Sequence, residues 1–301
     1  MDEIKQKLLS KSRQTAEDRW GKLLCFTCLG LIIVLIVAIL YFIINKGIAT
    51  FTLDHLSLIQ FLTGKQWNPG HHQVGALPMI LTSFLVTVLA ACLATPFAIG
   101  VAIFMTEYAP KKGTQALRAV TELLVGIPSV VYGYIGLVVI VPLVRRTIGG
   151  TGFGILAGTV VLFVMILPTV ISLTADSLKE IPIDYRQAAL SLGATKWQAI
   201  YKIVLRAALP GILTAVIFGM TRAFGEALAV QMVIGNAVLM PRGLGSPTAT
   251  LTSQLTSQMG NTVLGTVSNN ALWSLALVLL VMSLAFNLLI RLITRKGAIK
   301  K

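Results

Sequence analysis

Acidic residues are scarce in this chain, with 11 Asp and Glu among 301 residues against 25 Lys and Arg. Charged residues together make up 12%, about half the share usual in a soluble domain. Cysteine is sparse as well, and Cys25, Cys28 and Cys92 all sit in apolar runs. Cys25-Phe26-Thr27-Cys28 has the spacing of a redox or zinc pair. No second ligand pair accompanies it, so small apolar packing residues are expected instead of a metal site. His71-His72 likewise lacks further ligands. No Walker A motif occurs: Gly64-Lys65 is the nearest piece, but Gln66 follows it and Ile59 stands where the first glycine belongs. A metalloprotease histidine pair and a nucleophile elbow are also missing. The chain therefore offers no catalytic residues and no metal ligands, and any ATP hydrolysis must sit on another polypeptide.

What fills the chain is apolar. Hydrophobic residues reach 55% and the mean hydropathy is +0.83. Uncharged runs of about 20 residues, the length that crosses a bilayer, recur along the sequence. Lipid offers no partner to an open backbone, so these runs should be helices. The alternating segments of roughly ten residues that mark a closed barrel are absent. The pattern predicts an all-α polytopic membrane protein with spans at residues 23–44, 76–105, 119–144, 153–174, 209–234 and 271–293. Span one is too long for a signal-peptide core and lacks a small-residue cleavage site.

Four regions follow: a polar tail 1–22, a first span with external loop 23–75, a five-helix core 76–293, and a basic tail 294–301. A net charge of +14 would suggest nucleic acid in a soluble protein. Here the cations fall between the spans and report orientation. With six spans both termini share a side; 19 Lys and Arg lie on it, 5 lie on the other, and Arg222 lies within a span. The positive-inside rule places both termini in the cytoplasm.

The most informative link is 184–206, between spans four and five. Ile181-Pro182 gives a stop, Asp184 a candidate N-cap, and Gln187 to Leu192 favours helix. Gly193 ends that helix, and a second starts at Thr195 with Trp197, Ile200 and Val204 on one face. Two readings fit such an apolar cytoplasmic protrusion: a knob for a partner's groove, or an amphipathic helix on the lipid surface.

Ionisable residues inside spans are costly and mark functional candidates. Arg222 lies 13 residues into span five, roughly 20 Å along a helix, near the depth where transport sites lie. Glu226 is four residues on and predicted to share its face. One reading gives an anion-binding guanidinium steadied by a carboxylate; the other gives an ion pair that only fixes packing. Glu122 follows Arg118 by four residues and is expected to pair with it locally. Pro128 and Gly133 are expected to break or bend span three.

The spacing of Ala188-Ala189, Gly193 and Ile203-Val204-Leu205 resembles the coupling signature of bacterial ABC importer permeases. Gln187 stands where that pattern carries Glu, and Arg206 where it carries Pro. Further segments are similar to phosphate-specific importer permeases: Trp67-Asn68-Pro69, Gly75-Ala76-Leu77-Pro78, Thr106-Glu107-Tyr108-Ala109-Pro110, Gly126 to Gly133, and Arg222 to Val230. The first and last resemble the PstC-type subunit. The resemblance implies a type I importer fold in the bacterial cell membrane. It implies a PstA-like second permease, an ABC ATPase dimer carrying ATP and Mg, and an external phosphate-binding protein. It assigns Arg222 and Glu226 to the pathway, and Gln187, Ala188, Ala189, Gly193, Ala194 and Thr195 to ATPase coupling. A permease for sulfate or molybdate, a stand-alone secondary transporter, and a membrane enzyme are the rivals; the last has no catalytic constellation to support it.

Overall fold

A computed structural model describes residues 13–297. Residues 1–12 and 298–301 of the expected tails lie outside the described part. Among the described residues six helices are long and apolar enough to cross a membrane. They are α1 (Arg13–Thr52), α3 (Leu77–Tyr108), α5 (Ser129–Ile148), α6 (Ile155–Lys179), α8 (Lys196–Phe224) and α11 (Val267–Gly297). Shorter helices join them: α2 (Leu58–Thr63), α4 (Lys111–Gly126), α7 (Ile183–Ser191), α9 (Leu228–Ile234) and α10 (Leu251–Gln258). A two-residue hairpin, β1 (Trp67–Asn68) and β2 (Gln73–Val74), folds the first external loop.

Packing centres on α6, which is flanked by α3 and α8. On α3 the four-residue spacing of Ala90, Ala94, Ala98 and Ala102 makes a seam of small side chains, each 1% exposed or less. Small residues let helix backbones approach closely where lipid supplies no hydrophobic drive. Val161, Leu162, Met165 and Ile166 of α6 fill that core with Val230, Val233 and Ile234 of α9. Helix α1 stands at the edge and packs on α11. There Ser274 Oγ donates to the Gly47 carbonyl at 2.7 Å, and Phe42 meets Trp273 edge-on.

Several expected boundaries move. Span three was placed at 119–144 with a break or bend expected at Pro128 and Gly133; the chain breaks at Ile127-Pro128, while Gly133 lies within α5. A residue before proline is pushed from the helical region, and Ile127 has ψ 129°. Residues 111–126 therefore form the separate helix α4, and the span begins at Ser129. Span five was placed at 209–234. It begins at Lys196, runs through Pro210, and ends at Phe224, with Gly225 as its C-cap. The first helix also takes in residues 13–22, expected as tail. The predicted N-cap moves from Asp184 to Pro182, so Asp184 lies in the first turn of α7.

Candidate functional site

Helices α4, α6 and α8 form an open cavity of about 350 Å³ lined by Thr121, Glu122, Val125, Thr169, Ser172, Leu173, Phe218 and Arg222. Arg222 sits in the last turn of α8. One of its terminal nitrogens donates to Thr169 Oγ1 at 2.7 Å. Thr169 is ten residues from the end of α6 at Lys179, roughly 15 Å along the axis. That distance is half the ~30 Å hydrocarbon core, and it puts the contact near the middle of α6.

Glu226 does not share this face. A four-residue spacing aligns two side chains only on a continuous helix, and α8 stops at Phe224. Past that break the Glu226 carboxylate turns to α9 and accepts from the Ala229 N–H at 3.2 Å. Its carbonyl accepts from Thr252 Oγ1 at 2.9 Å. The expected Arg222–Glu226 pair is not formed, and among the described residues no carboxylate bridges Arg222. Glu226 instead fastens the discontinuity between α8, α9 and α10.

Glu122 pairs with Arg118 at 3.1 Å, as its spacing predicts. It also lines the cavity, its side chain 67% exposed. Thr121, Thr169 and Ser172 were missed by sequence reasoning. Thr169 and Ser172 are two among several hydroxyls on α6 and Thr121 lies on α4, so no pattern in the sequence sets them apart. Tyr132 of α5 reaches back over the Ile127-Pro128 break and donates to the Leu124 carbonyl at 2.8 Å, fixing the end of α4.

The second candidate region is the segment 184–206. Gly193 takes a left-handed φ of +81°, so α7 ends there. Thr195 then caps α8 through a capping box with Gln198. Both features follow the local sequence signals. Gln187, Ala188, Gly193 and Thr195 are exposed, Ala194 is half-buried and Ala189 is buried. Around them stand exposed apolar side chains, with Leu192 at 90% and Ile183, Tyr185, Leu190 and Trp197 beside it. The face expected to carry Trp197, Ile200 and Val204 together divides: Ile200 and Val204 turn inward, whereas Trp197 stays outside and stacks on Tyr201. The protrusion presents apolar surface without packing it against this chain.

Arg186 anchors the protrusion. Its Nε and one terminal nitrogen reach Glu107 Oε1 at 2.9 and 2.8 Å. Its remaining donors take the carbonyls of Ile181 and Leu178 at the end of α6. Cys25 and Cys28 are free and exposed on α1, and no metal-binding cluster occurs among the described residues.

Comparison with known proteins agrees with this architecture. Residues 94–297 match the family described as binding-protein-dependent transport system inner membrane component. A Bacillus subtilis protein named probable ABC transporter permease protein YqgH is 48% identical, over 97% of this chain and 96% of the relative. The phosphate transport system permease protein PstC of Mesorhizobium japonicum is 31% identical, over 79% of this chain and 80% of the relative. Among solved structures, a bacterial ABC transporter that imports the acidic polysaccharide alginate superposes with a TM-score of 0.65. That match covers 96% of this chain and all of the other at 15% identity. The MetNI methionine ABC transporter gives 0.59 at 21% identity, over 73% of this chain and 95% of its own. At these identities the structural matches speak for the fold alone.

Proposed function

The chain belongs to the family of binding-protein-dependent transport system inner membrane components, and on that premise we propose that it is the PstC-like permease subunit of an ATP-driven phosphate importer. It is an integral protein of the cell membrane and an ABC importer permease. With a PstA-like second permease it forms the phosphate pathway. An ABC ATPase dimer carrying ATP and Mg docks on the 184–206 protrusion through Gln187, Ala188, Ala189, Gly193, Ala194 and Thr195. An external phosphate-binding protein delivers the anion. The PstC-named relatives at about 30% identity support phosphate as the cargo.

The observation that carries the reading is Arg222. A guanidinium bridged to a carboxylate is neutralised, and an approaching anion meets repulsion from its partner. Resting on the neutral Thr169 hydroxyl, Arg222 keeps its full charge and leaves further N–H donors for phosphate oxygens. The other charge lining the cavity, Glu122, is held by Arg118, so Arg222 beside the hydroxyls can bind a passing anion without trapping it, which conduction requires. Glu226 serves the pathway indirectly by holding the break that lets Arg222 end its helix at the cavity. Its neutral partner is also what separates this site from a packing ion pair.

The test is Arg222→Gln in the assembled complex. Uptake of inorganic phosphate should stop while the permeases and ATPase still copurify; normal uptake would sink the proposal. Comparing phosphate, sulfate and molybdate as stimulants of ATP hydrolysis identifies the anion. Uptake by this chain alone without nucleotide would move it to a secondary transporter.

A further inference from the structure

The two ends of the exposed protrusion are held on one residue. Arg186, just before Gln187, bridges the Glu107 carboxylate, with side chains only 20% and 9% exposed. Lys196, just after Thr195, donates its ammonium to the Glu107 carbonyl oxygen and lies 4.5 Å over the Tyr108 ring. Residues 187–195 therefore form an arch whose two feet stand on Glu107. That residue lies in the π-turn (Phe104–Tyr108) that closes α3. Pro110 then starts α4, and Thr114 of α4 donates to the Met105 carbonyl at 3.0 Å, tying the corner together. One side of α4 supplies Thr121 and Glu122 to the cavity that Arg222 faces.

Were the arch held only by backbone, a push on it would be shared with the Ile181-Pro182 link. A charge-assisted, nearly buried pair is short and geometrically fixed, and packed elements shift as units rather than deform smoothly. The Arg186 guanidinium also fills the carbonyls at the end of α6, so the foot cannot slide without breaking several bonds together.

We propose that Glu107 is the positioning residue that transmits movement of the protrusion to the α3–α4 corner, and so sets the cavity at Arg222 in register with nucleotide hydrolysis. This rests on the importer reading above. Glu107 touches neither substrate nor nucleotide. It acts through Arg186, Lys196 and α4.

The experiment reconstitutes the full complex in lipid vesicles and measures radiolabelled inorganic phosphate accumulated per ATP hydrolysed. Glu107→Gln keeps the shape and removes the charge. The ratio should fall by about 2- to 30-fold, the span over which substitutions along a coupling route act, while ATP hydrolysis persists. Arg186→Gln should lower it alike, and the double variant should be no worse than either single one. An assembled Glu107→Gln complex with the wild-type ratio overturns the proposal. So does a parallel loss of uptake and hydrolysis, which is what a merely structural role predicts. If Glu107→Gln fails to assemble, Lys196→Met, which removes the ammonium from the Glu107 carbonyl and the Tyr108 ring, decides by the same ratio: a fall supports the proposal and the wild-type value overturns it. Failure of the importer reading itself shows differently, as a wild-type complex that accumulates no phosphate on ATP.

Discussion

Gly193 offers a test in which conformation and space separate cleanly. Its φ is +81°, and a Cβ built on it meets nothing within 4 Å. The turn is closed by Leu192 N–H to Ala188 O at 3.2 Å, Gly193 N–H to Leu190 O at 3.0 Å, and Ala194 N–H to Ala189 O at 3.1 Å. Gly193→Ala removes none of these bonds and clashes with no atom. Its whole cost is that of an L residue in left-handed backbone, ~1–2 kcal/mol. Such a cost lowers the equilibrium constant for the arched shape by about 5- to 30-fold, and apparent affinity for a partner that binds only that shape falls by up to the same factor. Asn tolerates the left-handed region better than Ala, although it is larger. β-Branched Val tolerates it worst. Titrating purified ATPase onto vesicles that carry the permease pair should therefore give affinities in the order Gly, Asn, Ala, Val. An order set by side-chain size, with Ala tighter than Asn, would refute the reasoning, as would four equal affinities.

Three further outcomes follow from the packing. Thr169→Val removes the hydroxyl that holds Arg222; a hydrogen bond to a charged group is worth ~1.5–3 kcal/mol, so half-saturation for phosphate uptake should shift with the complex still assembled, and unchanged uptake kinetics would count against the cavity. Gly136→Ala places a methyl 2.5 Å from Val161 Cγ2 and 2.9 Å from Val233 Cγ1; overpacking of this kind costs ~1–3 kcal/mol, seen as a lower thermal midpoint in detergent, and Val161→Ala added to it should recover part of the loss. Leu192→Asp changes a side chain that is 90% exposed; the thermal midpoint of the permease should hold while copurification of the ATPase is lost, and retained copurification would remove Leu192 from the docking face.

What could be read from sequence divides by the range of the forces involved. The spans were legible because an apolar run of bilayer length has one stable form in lipid. The arch was legible because its signals are local: a glycine that permits φ +81° and a Thr195–Gln198 capping box three residues wide. The helix breaks were less so. The break at Pro128 was legible from the proline itself, but a hydropathy average over 119–144 does not show that α4 ends at Gly126 and the span starts only at Ser129. The Arg222–Glu226 expectation failed for the same reason. Spacing four implies a shared face only if the helix continues, and α8 ends between the two residues. The partner that Arg222 does take, Thr169, is 53 positions away, and the Glu107–Arg186 pair spans 79. Neither could be found along the chain, because the first is made by α8 packing on α6 and the second by α7 folding back on the end of α3. The two regions are nonetheless joined by a physical consequence of that packing. Helix α4 exists as a separate lever only because Pro128 cuts it from α5, and it carries cavity-lining side chains at one end and the Glu107 corner at the other. Were 119–144 one continuous span, as hydropathy alone suggests, the arch would have no short element through which to reach Arg222.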